Sequence, residues 1–447
     1  MKAMKKVISC LLASVFVFMA CSPTVAGDYS EEDRIILVRE MIMVERDETE
    51  TRSLQNTDLA DSAARVAARG ANDFAFRLSA ALAQNLDSEN LVVSPYSVWL
   101  PLAALVNATD SYNQEALLEA LGAAGINAED INRAASRMLY DLTNERLRRF
   151  EGLEEISNPL RIANAIFVDN EFTIREDFAQ TFMDYFRGSI MNVDFSSPDA
   201  VAAVNQWASD NTDGLITDLI EAFDPLELAV IANAIYFSGR WGWEFNPDNT
   251  IEGTFYSPVG EMSAYFMVRE SDNQLYFEDE NIQSISMWFQ NGGGMTIILP
   301  KDGDATGLLS NMTAEYFDNL MQNKIMATGR FLLPRFSLSS QIDDLAEVLV
   351  SLGVPLFDDI TAPLTNGLLE ESIPVWLSNA VQKAVIEVNE EGATAAAVTA
   401  VMVAGSAMPI PTEPFEMICD RPFVFVLYGQ TFDGGQQVLF TGVVNQP

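Results

Sequence analysis

The residues with the most pointed chemistry lie near the C-terminus, in Val388-Asn389-Glu390-Glu391-Gly392-Ala393-Thr394-Ala395-Ala396-Ala397-Val398-Thr399. An acidic pair and a glycine lead into small residues. From Ala393 to Met408 there is neither a charge nor a proline, and then Pro409, Pro411 and Pro414 follow in close order. The chemistry on offer is that of the backbone: small residues can enter a crowded sheet, whereas each proline removes a ladder donor. At about 3.3 Å per residue, the 16 positions 393–408 reach roughly 50 Å, enough to cross a large sheet. Alanine-rich runs also form helices and linkers. Here the β-branched Val398, Thr399, Val401 and Val403, and the buried-strand pattern of Arg421 to Tyr428 downstream, favour a strand waiting outside its sheet.

Other chemistries have little to work with. The 447-residue chain has no histidine, which excludes Ser-His and Cys-His nucleophile arrangements and histidine-containing metal sites. Of three cysteines, Cys10 and Cys21 fall in an N-terminal leader, and Cys419 stands alone before an apolar strand, where it reads as packed and inert. Carboxylate pairs such as Asp343 and Asp344 suit acid–base work, but among 64 acidic residues such pairs are commonplace and mostly solvated. Asn291-Gly292-Gly293-Gly294 reads as a turn between strands rather than a phosphate cradle. No enzyme, metal or cofactor is expected. A formal net charge of −38 argues against nucleic acid, whose phosphates need a cationic face, and favours solubility and cationic partners.

The elements that must position the C-terminal run are helices first and strands later. Apolar spacing predicts helix within 71–84 and over 113–121, 129–150, 175–187, 205–220 and 344–352. Strands are expected at 160–167, 229–237, 254–256, 264–268, 282–289, 295–299 and 328–334. Asn90 to Trp99 reads as strand, turn and helix start, with Ser94 or Ser97 able to cap. This order argues α+β rather than alternating α/β. No proline- or serine-rich linker divides residues 62–447, which form a single domain in this reading.

Ahead of that domain, Met1 to Lys6 is cationic and Val7 to Ala20 is largely apolar, the pattern of a signal peptide and too short for a spanning helix. Phe18-Met19-Ala20-Cys21 resembles a bacterial lipobox with phenylalanine in place of the usual leucine, making Cys21 a lipidation candidate and membrane tether. Ordinary cleavage near Ala26 would instead release a free protein. Both routes imply export, to the extracellular space or to the cell envelope. Residues 22–61 read as a spacer.

The C-terminal run and the strand after it also form a pattern, V-N-E-E-G-x-x-A-A-A-x-T followed by Asp420-Arg421-Pro422-Phe423-Val424-Phe425. Upstream stand Ser94-Pro95-Tyr96-Ser97, Asn205-Gln206-Trp207 with Thr212 and Gly214, and Asn233-Ala234-Ile235-Tyr236-Phe237-Ser238-Gly239-Arg240-Trp241. Leu333-Pro334-Arg335-Phe336 and Leu439-Phe440-Thr441-Gly442 complete the set. In this order, from about residue 71 to Pro447, the blocks resemble the serpin family of serine protease inhibitors, in a prokaryotic exported member.

The resemblance implies an α+β fold of about nine helices and three β-sheets, with an exposed reactive-centre loop over about 390–416. It implies a serine-type endopeptidase inhibitor acting as a suicide substrate. The protease cleaves the loop, the loop inserts into the central sheet, and the acyl-enzyme is trapped. The hinge is Glu390, Glu391, Gly392, Ala393, Thr394, Ala395, Ala396, Ala397, Val398 and Thr399. On insertion Ala393, Ala395, Ala397, Thr399 and Val401 would share the core face, with no charge to bury. Family spacing from Glu390 places the reactive bond at Ser406–Ala407, with Met402, Ala404 and Met408 as alternatives because the loop is longer than usual. None is cationic, so elastase-, subtilisin- or chymotrypsin-like proteases fit, and papain-like cysteine proteases are a further class. Ser94, Ser97, Asn233 and Gln382 would form the polar cluster that controls sheet opening. Gln382 stands where the family usually has histidine, and glutamine can still donate and accept, without dependence on pH. Trp241 would pack at the top of the sheet. A monomer is expected. The alternative is a non-inhibitory serpin-fold binding or scaffold protein.

Overall fold

Runs of alternating buried and exposed residues build the strands, and apolar stripes build the helices that cover them. The computed structural model describes residues 10–20 and 58–447, apart from 87, 144–159, 213, 215, 224–226, 238, 291, 393–413 and 432–434. Among them are nine α-helices: α1 (Asp58–Ala83), α2 (Pro95–Leu105), α3 (Ser111–Ala120), α4 (Ala128–Leu142), α5 (Glu176–Phe186), α6 (Pro198–Asn211), α7 (Ala305–Ser310), α8 (Ala314–Gln322) and α9 (Leu345–Ser351).

The first sheet has six strands in the order β11-β12-β1-β5-β3-β4. These are β11 (Phe336–Ile342), β12 (Val375–Val388), β1 (Cys10–Ala20), β5 (Glu227–Phe237), β3 (Leu160–Asp169) and β4 (Gly188–Val193). The other strands are β2 (Leu91–Val93), β6 (Ile251–Ser257), β7 (Gly260–Glu278), β8 (Ile282–Trp288), β9 (Gly294–Pro300), β10 (Ile325–Pro334), β13 (Phe415–Ile418), β14 (Phe423–Gln430) and β15 (Gln436–Val444). The long β7 joins two sheets. It pairs with β6 over Gly260–Phe266 and with β10 over Phe266–Tyr276, and its last residues, Leu275–Glu278, pair with β8, which continues through β9, β14 and β15 to β2. The three-sheet α+β expectation holds.

Strand alternation gives β5 two packing faces. Ile231 and Ile235 join a cluster with Phe74 of α1, Trp99 and Leu102 of α2, and Leu377 and Ala384 of β12. Val230, Ala232 and Ala234 face the other way, with Phe167 of β3 and Val204 and Trp207 of α6. Helix α2 is buried along its whole length, so its N-terminus needs an internal cap. Ser94 supplies one, its hydroxyl accepting from the Ser97 N–H, and Pro95 occupies the first turn.

The largest departure from the sequence reading is the helix expected over 205–220. It ends at Asn211, because Gly214 adopts a left-handed φ of 79° and the Thr212 hydroxyl accepts the Ile216 N–H. Asn205 instead braces the segment beyond, bonding both the N–H and the C=O of Ile220. The helix expected over 129–150 ends at Leu142, and 144–150 lie outside the described residues. The Gly-rich stretch is a β8–β9 turn, as expected, with Gly292 and Gly293 at positive φ. The short α7, α8, β4, β11 and β13 were not anticipated.

Candidate functional site

The acidic hinge begins where β12 ends. Glu390 is buried, and Arg335, in the corner between β10 and β11, grips its carboxylate with both Nε and Nη2 at 2.6–2.9 Å. The Thr250 hydroxyl donates to the same carboxylate. Burial pushes the Glu390 carboxyl up, but the Arg335 and Thr250 hydrogen bonds outweigh it and hold the pKa below the usual glutamate value. Its carbonyl accepts the Phe245 N–H at 3.0 Å, so backbone and side chain are both held.

Trp241 sits against this turn. Its ring is fully buried and stacked on Phe289 at 4.8 Å, and its Nε1 donates to the Asn389 carbonyl at 3.0 Å. Gly392 follows with φ of 78°, and a Cβ there would lie 2.4 Å from the Trp241 nitrogen. Only glycine passes at this point without strain. The Trp241 position expected at the top of the sheet is therefore a direct contact with the hinge.

Below the hinge, β5 and β12 flank one strand position, and β1 runs in it antiparallel to both. Polar side chains mark the middle of each flank. On the β12 side, Gln382 accepts the Ser94 N–H with Oε1 (3.1 Å) and donates with Nε2 to the Ser94 carbonyl (2.9 Å) and the Ser97 hydroxyl (3.2 Å). On the β5 side, Asn233 donates to Asn164 Oδ1 at 2.7 Å, and Asn164 donates to the Phe186 carbonyl. All five side chains are buried.

A family model described as Serpin (serine protease inhibitor) matches residues 69–447. The chain belongs to the serpin family. Antichymotrypsin-2 from Bombyx mori is 30% identical, the match covering 84% of this serpin and 96% of the relative. Plasminogen activator inhibitor 1 from Sus scrofa is 31% identical, covering 86% and 93%. Among solved structures, the native-state thermophilic serpin tengpin aligns with a TM-score of 0.71 at 26% identity, covering 85% of this chain and 94% of that one.

In this serpin, the expected cluster divides in two. Ser94, Ser97 and Gln382 come together, whereas Asn233 turns to Asn164, because the β1 position separates β5 from β12. Sequence reasoning missed Asn164 and Arg335. Asn164 carried a signal, a lone amide in an apolar strand, but nothing local names its partner 69 positions away. Of the hinge, Glu390, Glu391 and Gly392 are placed. Ala393, Thr394, Ala395, Ala396, Ala397, Val398 and Thr399 lie outside the described residues, as do Met402, Ala404, Ser406, Ala407, Met408 and Cys21. Cys419 is buried and free, and burial pushes its thiol far above the usual range. Asp343 and Asp344 stand exposed beside α9.

Proposed function

We propose that this serpin inhibits serine-type endopeptidases as a suicide substrate. The protease attacks at or near Ser406–Ala407, and the freed loop folds back into the six-stranded sheet between β5 and β12. What supports this reading best is strand polarity. The position between β5 and β12 holds an 11-residue strand antiparallel to both neighbours. A chain that leaves β12, turns at Gly392 and folds back runs in that direction. The residues that follow Gly392 are small, uncharged and free of proline up to Met408, which is what a crowded central position requires.

Elastase-, subtilisin- and chymotrypsin-like enzymes are the proposed targets. In the same reading the mature protein is an exported monomer, released or held at the envelope through Cys21. The test is incubation of the processed protein with an elastase and a subtilisin, followed by denaturing gel and mass spectrometry. A denaturant-stable covalent complex, with a released peptide beginning at Ala407 or close by, is the expected result. Clean cleavage without any complex, across serine and cysteine proteases, would turn the reading to a non-inhibitory binding or scaffold protein. Incorporation of labelled palmitate that Cys21→Ala abolishes would establish the tether.

A further inference from the structure

The strand between β5 and β12 comes from the chain's own leader. Cys10 to Met19 pairs with both neighbours, and Ala20 with β12 alone. Ser14 is level with Asn233 on one side and Gln382 on the other, and Val15 is level with Ala232 and Val381. The ladders shift register only near the end of the strand, at Val17/Phe18 towards β12 and Phe18/Met19 towards β5. Over these 11 residues there is no charge and no proline, and Ala13, Ser14 and Val15 pass the middle of the sheet. The flanking strands are themselves narrow there, with Ala232 and Ala234 on β5 and Ala380 and Ala384 on β12 all buried.

Segment 393–408 likewise has no charge and no proline, and its residues are mostly small or β-branched. Each backbone N–H and C=O along the inner edges of β5 and β12 pairs once, so one strand excludes the other.

We propose that this position is a strand-acceptor site whose first occupant is the leader. The unprocessed precursor is closed to loop insertion, and removal of the leader opens it. The ligand class is an extended, uncharged, proline-free peptide. A chain that folds with its leader attached therefore does not trap proteases. The consequence for trapping rests on the inhibitor reading above; the placement of the leader does not.

The test uses the full-length precursor, made by cell-free synthesis without membranes so that the leader stays attached. A fluorescent peptide of residues 393–408 serves as the probe. The precursor is expected to take up at least tenfold less probe, on native gels, than the full-length Val15→Asp variant, whose leader carries a charge into the sheet. Equal uptake by the two would overturn the proposal. A second measurement does not depend on that variant folding. With Cys10 and Cys21 changed to serine, Val15→Cys and Val381→Cys should form a disulfide under mild oxidation, found by mass spectrometry. Its absence in folded protein would also overturn the proposal. Trapping assays separate the two readings. A precursor that traps elastase or subtilisin sinks leader occupancy and leaves the inhibitor reading intact. A Val15→Asp variant that takes up probe but traps no protease leaves leader occupancy standing and sinks the other.

Discussion

Among the buried polar clusters in the sheets of this serpin, two are wired differently. In the six-stranded sheet, Gln382 of β12 bonds to Ser94 and Ser97 at the start of α2, and Asn233 of β5 bonds to Asn164 of β3. Each flank of the central position is tied to its own support. In the neighbouring sheet, Ser286 of β8 and Thr296 of β9 bond directly across adjacent strands, with 2.7 Å between their hydroxyls. Lys324, buried, donates to Ser286 at 2.6 Å. Asn233 and Asn164 are level on adjacent strands, but neither polar bond of the first sheet crosses the gap between β5 and β12, whereas the Ser286–Thr296 bond does join β8 to β9. In the proposed mechanism the first sheet parts between β5 and β12, and the second stays closed.

The comparison breaks most visibly where a charge is forced into the parting sheet. Ala397→Arg would place a guanidinium on the core face of the inserting strand, at a cost of several kcal/mol when unpaired. The ratio of covalent complex to cleaved product, on a denaturing gel with excess elastase, should fall at least about tenfold. An unchanged ratio would mean that the loop never enters between β5 and β12.

Next in size is the hinge lock. Arg335→Gln leaves the buried Glu390 without its cation and should cost roughly 1.5–3 kcal/mol in urea unfolding at pH 7. The pH dependence follows from the lowered Glu390 pKa. Its stabilisation is complete above the unfolded glutamate value of about 4.3 and fades as pH falls through the lower folded value. The difference between the two proteins should therefore shrink in acid. A gap that is the same at pH 3 and pH 7 would contradict the assignment of the lock to this ion pair.

The closed sheet gives a pH dependence of the same sign in a more alkaline window, but the opposite sign for the substitution. Desolvation lowers the Lys324 pKa well below its ordinary value, so the folded state binds fewer protons than the unfolded chain. Stability should rise with pH between the folded pKa and about 10.4, at a slope of about 1.4 kcal/mol per pH unit from this one group. Lys324→Met should remove that slope and stabilise the protein by about 1–2 kcal/mol near neutral pH. Inhibition should be untouched, because β8 and β9 do not part. Urea midpoints across pH and a trapping assay on the same protein check both halves.

The parts of this arrangement legible in the sequence were those carried by contiguous residues. Ser94-Pro95-Tyr96-Ser97 shows a cap within a few positions, whereas the run after Gly392, read as a strand waiting outside its sheet, lies outside the described residues. What could not be read was pairing across the fold, such as Arg335 with Glu390 or Asn164 with Asn233, since a polar residue in an apolar strand does not name its partner. The overrun of the helix at 205–220 came from continuing a periodic pattern past Gly214. The leader shows a deeper ambiguity. An uncharged apolar run satisfies a signal peptide and a buried central strand equally, and periodicity alone does not choose.

The finest test concerns Gln382, the one member of the parting sheet's cluster that differs from the usual family residue. Its amide accepts from the Ser94 N–H while donating to the Ser94 carbonyl and the Ser97 hydroxyl. A neutral imidazole at this position could accept one bond and donate one; a protonated imidazole could accept none. The folded state of Gln382→His should therefore prefer the neutral ring, with a pKa below the ordinary value of about 6.5. Stability would be lost as pH falls through that value, by about 1 kcal/mol, as the Ser94 N–H loses its partner. In the processed protein, uptake of the 393–408 peptide by the histidine variant should accelerate between pH 7.5 and pH 5.5, while the natural protein stays flat. A histidine variant equally flat would show that β12 separates from β5 with its bonds to Ser94 intact, and that those bonds do not hold the sheet closed.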